Sequence, residues 1–287
     1  MIDLHSHTNE SDGTLSPAEL VDLAVRSGLE ALAITDHDTF AGYDQALRIA
    51  GAKGLDLVCG IEINTRFARG EIGRERTWNI HLLGYFLHEP PAPSFREWLF
   101  DLLQSRRERN AKLVLKLQSM GVDIDLSEVE AVGRTLTGRP HFARVLLNKG
   151  YVSSTDEAFR KYLGEDSPGF VHRDSPHTVM GIQQIEAAGG IPVLAHPVRL
   201  GVRDPRQEQE LISELCDAGL RGIEVYHSDH RPADVARYAA IAKRFGLAAS
   251  GGSDFHGEAK PNIRLGTGAN GNLSVPRKVL EELRKQR

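Results

Sequence analysis

Short runs of consecutive apolar residues alternate along this chain with segments whose apolar positions recur at helical spacing. The runs Ile2–Leu4, Ala31–Thr35, Leu55–Ile63, Ile80–Phe86, Ile191–Ala195, Gly222–Tyr226 and Leu247–Gly251 read as strands. Several are almost continuously hydrophobic, as strands covered on both faces are. The text between them carries helix signals. Ser16-Pro17-Ala18-Glu19 is a capping box with proline at the first helical position, and Gly28 supplies the stop. Ser175-Pro176 predicts the start of another helix, running toward Gly189-Gly190.

Strand–helix alternation predicts an α/β fold with a parallel sheet, open or closed into a barrel. One stretch breaks the alternation. From Pro90 to Val171 the pattern is mainly helical, over Phe95–Met120, Ser127–Val132, Pro140–Asn148 and Ser154–Leu163, behind the stiff linker Pro90-Pro91-Ala92-Pro93. The expected organisation is one α/β domain in two parts, 1–89 and 172–287, with a substrate-capping helical insertion at 90–171.

The 287 residues are 40% hydrophobic and 26% charged, enough for a core and a solvated surface. No apolar run approaches the ~18–20 residues of a membrane span, and the start lacks a secretory build. A cytoplasmic protein without a membrane partner is expected. A net charge of −4 argues against duplex DNA as a partner but leaves small anions open. Two cysteines, Cys59 and Cys216, make no disulfide framework and read as core thiols.

The twelve histidines matter by position. His5 and His7, two apart, share one face of an extended strand. Asp12 follows in a polar turn, and the next run ends in Thr35-Asp36-His37-Asp38. Glu62 sits inside an apolar run, where a buried carboxylate needs a partner. His81 opens the fourth run, His196-Pro197 closes the fifth, and the last runs into Asp254-Phe255-His256. In a parallel barrel the C-terminal strand ends share one face, so these nine residues would converge. His81 fits that rule least, lying near the start of its run. Nine donors, one of them a bridging carboxylate, suit two or three divalent ions at about three protein bonds per open ion. Mixed imidazole and carboxylate donors favour Mn, Fe or Zn over Ca or Mg.

In this order the motifs His5-Ser6-His7, Thr35-Asp36-His37-Asp38, Glu62, His81, Ala195-His196-Pro197 and Asp254-Phe255-His256 resemble those of the PHP (polymerase and histidinol phosphatase) superfamily. The resemblance implies a distorted seven-stranded, TIM-like β/α barrel with a trinuclear site. It implies one ion on His5, His7, Glu62 and Asp254, and a second on Glu62, His81 and His196. The third would take Asp12, His37 and His256, with Mn the metal expected and Fe or Zn the alternatives. The insertion text Leu136-Thr137-Gly138-Arg139-Pro140-His141-Phe142-Ala143-Arg144 resembles the nucleoside 3′,5′-bisphosphate phosphatases, a group that includes enzymes trimming short RNA from its 5′ end.

The expected activity is removal of the 3′-phosphate from nucleoside 3′,5′-bisphosphates by metal-bound hydroxide, with Glu62, Asp254 and His196 as catalytic candidates. His196 is also a candidate leaving-group acid, a role that competes with ligation. Alternatives are a 5′-to-3′ exoribonuclease on short 5′-phosphorylated RNA, a histidinol-phosphate phosphatase, and a non-catalytic metal-binding module. Asp36 and Asp38 are expected to orient His37 or its neighbours. Between Arg96 and Lys149 ten Lys/Arg face seven Asp/Glu, a surplus of positive charge in an acidic chain. Arg139 and His141, at a helix start, are candidates for holding a second phosphate, with Arg134 beside them. Arg199 and His227 are candidates for the mouth of the site. The run Arg106-Arg107-Glu108-Arg109 reads as a solvated helical face.

Overall fold

The computed structural model describes residues 1–70 and 76–286. Among them one sheet of seven strands runs in chain order: β1 (Ile2–Asp3), β2 (Ala31–Ile34), β3 (Asp56–Arg69), β4 (Arg76–Phe86), β5 (Ile191–Leu194), β6 (Gly222–His227) and β7 (Ala248–Gly252). Its edges approach each other, with Leu4 N–H donating to Gly251 O at 3.1 Å and Asp254 N–H to His5 O at 2.8 Å, so the sheet is a nearly closed barrel. Gly252 permits that approach, since a Cβ there would lie 2.3 Å from His5 N.

The helices are α1 (Pro17–Arg26), α2 (Ala41–Ala52), α3 (Pro93–Ser119), α4 (Leu126–Gly133), α5 (Arg139–Asn148), α6 (Thr155–Ala158), α7 (Thr178–Ala187), α8 (Pro205–Asp217), α9 (Pro232–Phe245) and α10 (Lys278–Leu283), with one π-helical turn at Phe159–Leu163 and a small antiparallel ribbon of Ile263–Arg264 and Gly268–Ala269. The capping box of α1 forms as its sequence predicts. The helix expected from Ser175-Pro176 starts later, because Pro176 O accepts from Arg66 N–H at 3.0 Å and holds the chain extended through His177. Apolar clusters lie inside the barrel, around Leu4, Leu83 and Val193, and outside it, around Ile61, Ile182 and Ile212. Helices α3 to α6 share a cluster of their own around Leu117, Phe142 and Leu146. No described helix is long and apolar enough to cross a membrane.

The sheet is mixed, which corrects the all-parallel expectation. β4 runs antiparallel to both β3 and β5, while the other pairs are parallel. A short connection can join antiparallel strands, and only positions 70–75 separate β3 from β4 in the chain. Reversal explains His81. The beginning of β4 lies at the barrel end where the other strands finish, and Asn64 of β3 pairs with His81 across the hairpin. β3 and β4 also extend past their apolar runs, through residues such as Arg66, Arg69 and Thr77, which no hydrophobic pattern marks.

Candidate active site

Nine side chains predicted from the sequence meet at one end of the barrel. His5 and His7 follow β1, His37 follows β2, His196 follows β5, and Asp254 and His256 follow β7. Glu62 lies within β3 and His81 within β4, and Asp12 reaches in from the loop before α1. Asp38, His196 and Asp254 all adopt positive φ, at 52°, 27° and 55°. Such backbone costs about 1–3 kcal/mol per residue and concentrates at functional sites.

Glu62 is the centre of the group. Its Oε2 faces His5 Nε2 at 3.2 Å, His7 Nε2 at 3.1 Å and His37 Nδ1 at 3.4 Å. Its Oε1 faces His81 Nδ1 at 2.8 Å and His196 Nε2 at 2.9 Å. Asp254 Oδ1 lies 3.3 Å from His7 Nε2, and Asp12 Oδ1 lies 3.2 Å from His256 Nε2. Burial opposes the charged form of Glu62, yet the surrounding imidazoles of His37, His5 and His81 hold its carboxyl well below the usual range. Burial pushes His196 down to about 3 and His37 down to about 4, while His7, despite burial, rises to about 9 beside Asp254 and Glu62.

This donor set fits divalent cations. The sets His5, His7, Glu62, Asp254 and His7, Asp12, His37, His256 each place their ligand atoms within 4.8 Å of one another, as do His37, Glu62 and His81. His7 Nε2 is buried without a hydrogen-bond partner among the described residues, although two carboxylates stand beside it. A ring nitrogen turned into such a group becomes a ligand when an ion displaces its proton. The buried His/Asp/Glu clusters are therefore suited to a multinuclear metal centre.

One supporting residue escaped the sequence reading. Glu224 of β6 is fully buried and accepts from His196 N–H at 2.5 Å, while its other oxygen meets His5 Nδ1 at 3.0 Å. That contact leaves His5 Nε2 free for the cluster, the usual way a carboxylate fixes a ligand's tautomer. The signal was present, since Glu224, like Glu62, interrupts an apolar run. Asp36 and Asp38 do not touch His37. Asp36 accepts from Thr8 N–H at 2.8 Å and Oγ1–H at 2.6 Å, shaping the loop that carries Asp12. Asn64 Nδ2, at 3.3 Å, is the group beside His37 Nδ1.

A chamber of about 310 Å³ lies between the cluster and the inserted helices. Arg66 of β3, Arg106 and Arg109 of α3, Arg139 of α5 and Arg173 line it, with His141, Phe170 and the carboxylates of Asp12 and Glu165. The solvated-face reading of the run 106–109 therefore fails for two of its three arginines. Arg106 and Arg109 are 9% and 6% exposed, because they continue the stripe of Leu113 and Leu117 that packs inward, while Arg107 points out to Glu130. Arg106 and Arg173 share Asp38. Arg109 has no hydrogen bond or ion pair among the described residues, and burial, aided by repulsion from Arg106, lowers it to about 9. Arg139 stacks over Phe170, and His141 Nδ1 accepts the Gly138 N–H that begins α5.

A second chamber of about 630 Å³ opens over the cluster itself, lined by Glu62, His196, Asp254 and His256, and shares Asp12, His37, His81, Pro140, His141 and Phe159 with the first. Arg144, Arg199 and Lys260 line it. Arg199 and Lys260 both pair with Asp254 Oδ2, at 2.8 and 2.6 Å. Two candidates lie elsewhere. Arg134 is largely exposed beside Glu10, in a separate groove with Arg107 and Thr135. His227 is buried behind the cluster, 3.8 Å from Asp254 Oδ2, and lines neither chamber.

Residues 3–150 match the PHP domain. The chain belongs to the PHP-domain family. It is 34% identical over 254 residues to a 5′-3′ exoribonuclease of Haemophilus influenzae, covering 88% of this chain and 89% of that one. It is 33% identical over 257 residues to a 3′,5′-nucleoside bisphosphate phosphatase of Chromobacterium violaceum, covering 89% and 87%. The solved structure of an amidohydrolase from Chromobacterium violaceum, with bound sulfate and no metal, superposes with a TM-score of 0.81 at 30% identity, covering 98% of this chain and 96% of that one. The chain is thus a PHP phosphoesterase, with relatives named for two different substrates.

Proposed function

We propose that this hydrolase removes the 3′-phosphate of nucleoside 3′,5′-bisphosphates. The observation that carries the reading is the surplus of guanidinium groups gathered beside the cluster, where five arginines line the chamber, Asp38 pairs with two of them and Glu165 faces Arg139. Burying like charges is costly unless they are paired. A terminal phosphate supplies the missing negative charge and accepts the planar, forked donors of arginine. The 5′-phosphate is then held by Arg106, Arg109, Arg139 and Arg173, and segment 90–171 serves as the cap over the substrate.

The nine clustered residues would hold up to three divalent ions, in the sets expected from the family motifs, with Glu62 presenting one oxygen to each side. Mn suits these donors best, with Fe or Zn as alternatives. Bound there, such ions activate water and neutralise phosphoryl charge. The chain's own residues do the rest. Glu224 sets the orientation of His5, and Asp38 holds Arg106 and Arg173 at the chamber wall. Arg199 and Lys260 stand on the far oxygen of Asp254, at the edge of the reacting phosphate. His196 faces Glu62 and serves as a ligand, not as a proton donor. Free thiols at Cys59 and Cys216 fit a reducing, cytoplasmic setting.

Protein reconstituted with Mn and offered adenosine 3′,5′-bisphosphate should release inorganic phosphate and AMP. Its kcat/KM should exceed that for histidinol phosphate by about a hundredfold or more, because the arginines are left unpaired by the smaller substrate. Equal efficiency on both would overturn the reading. Short 5′-phosphorylated RNA is the second reading, favoured by the second chamber.

A further inference from the structure

We infer that Glu10 is a positioning residue that keeps the arginine chamber in register with the cluster. The inference rests on the preceding reading, in which the chamber holds one phosphate of a bisphosphate while the cluster works on the other. Such a substrate spans two parts of the fold. The cluster stands on barrel strands and their ends, and the wall carrying Arg106, Arg109 and Arg139 belongs to α3 and α5, which share an apolar cluster of their own. A misplacement of about 1 Å between two such parts can cost about a hundredfold in rate. Glu10 is a buried carboxylate, 5% exposed, that the reaction itself does not use, and it stands where the two parts meet.

On the barrel side, Glu10 lies two residues before Asp12 in a turn held by its own bonds. Asp36 grips Thr8, Thr8 O accepts from Gly13 N–H at 2.9 Å, and Ser11 Oγ–H donates to Asp36 Oδ1 at 2.5 Å. On the other side, residues 134–138 join α4 to α5, and Leu136, Gly138 and Arg139 line the chamber. Glu10 takes hold of that connection twice. Its backbone O accepts from Leu136 N–H at 3.1 Å, and its Oε2 accepts from Thr135 Oγ–H. Arg134 approaches the other oxygen, Oε1, at 3.6 Å.

The connection needs such a hold. Arg134 has a φ of 44°, a conformation that a residue with a side chain keeps only where its surroundings impose it. Thr137 O accepts from Asn110 Nδ2–H at 2.9 Å, which ties the chain to α3. The connection is thus pinned to the barrel at 135–136 and to α3 at 137, directly before the helix that presents Arg139. Removing the Glu10 side chain takes away no arginine and no clustered donor. It loosens the distance between them.

The test uses full-length, Mn-loaded protein on adenosine 3′,5′-bisphosphate and, as control, adenosine 3′-monophosphate, which lacks the 5′-phosphate. Wild type should prefer the bisphosphate. Glu10→Ala should lose about tenfold in kcat/KM on it, chiefly in kcat, because the arginines still bind while the 3′-phosphate is misplaced. On the monophosphate it should stay within about twofold, with Mn content unchanged. Thr135→Val should reproduce the loss and add nothing to Glu10→Ala, and it carries the same comparison should Glu10→Ala fail to fold. Glu10→Gln, which still accepts from Thr135, should stay near wild type. Amide hydrogen exchange at 134–138 should quicken in Glu10→Ala and Thr135→Val while residues 8–13 keep their protection. Equal losses on both substrates, a loss under about twofold on the bisphosphate, or unchanged exchange at 134–138 overturns the inference and leaves the bisphosphate reading standing. A wild type without preference for the bisphosphate removes that reading, and the inference with it.

Discussion

The cluster and the arginine chamber lie side by side yet solve burial in opposite ways. In the cluster, carboxylates and imidazoles interleave, and each carboxylate is held by several rings. In the chamber, five arginines converge, with Asp38 between two of them and Glu165 facing Arg139. The first region is nearly compensated within the protein and is mounted on strand ends. The second carries uncompensated charge on inserted helices and is completed by its ligand. Binding energy for an anion is thus stored as electrostatic tension at one site, while the other is built to keep its geometry fixed.

The contrast breaks most sharply at Glu62. Glu62→Gln should lose bound metal and all hydrolysis of adenosine 3′,5′-bisphosphate, measured by elemental analysis and phosphate release. Retention of a full metal complement would show that the carboxylate does not join the two sides of the cluster. Glu224→Gln should weaken metal binding by about 10–100-fold, the usual effect of removing a group that orients a ligand. A metal titration in which Glu224→Gln behaves as wild type would assign that carboxylate to packing alone.

The chamber should answer differently. Arg109→Met is expected to lower kcat/KM on the bisphosphate by about 10–100-fold, through KM, as a charge-assisted contact disappears. Without ligand the same variant should unfold at higher temperature, because it removes a buried charge with no partner. Inorganic phosphate should raise the unfolding temperature of wild type more than that of the variant. A variant that is less stable than wild type and equally active would make Arg109 a structural residue. The smallest effect belongs to Arg134→Ala, expected to change stability by under about 1 kcal/mol, since exposed ion pairs contribute little. Activity should be unchanged.

Much of the barrel was legible because its strands are nearly continuous apolar runs, and all seven lie where those runs do. The nine clustered residues were legible because each follows or interrupts such a run, where a polar side chain has a reason to be. Arg106 and Arg109 were hidden by their neighbours. Only the packing of α3 separates their buried face from that of Arg107, and a run of charge looks solvated until the stripe through Leu113 and Leu117 is followed upward. Arg173 lies in irregular chain and carries no local signal. Asp38 gave only part of its role, since it reaches His37 through Asn64, which donates to its carboxylate from N–H at 3.2 Å and Nδ2 at 3.4 Å, while the same carboxylate also meets Arg106.

By itself, the amino-acid order determined which segments become strands and which side chains stand at their ends, since burial period and chain direction are local properties. The tertiary structure decided the rest. It reversed β4, bringing His81 to the shared face, and laid the inserted helices beside the cluster so that five distant arginines line one chamber. Those outcomes depend on how whole elements pack against each other, a matter of long-range contact that no window of sequence contains.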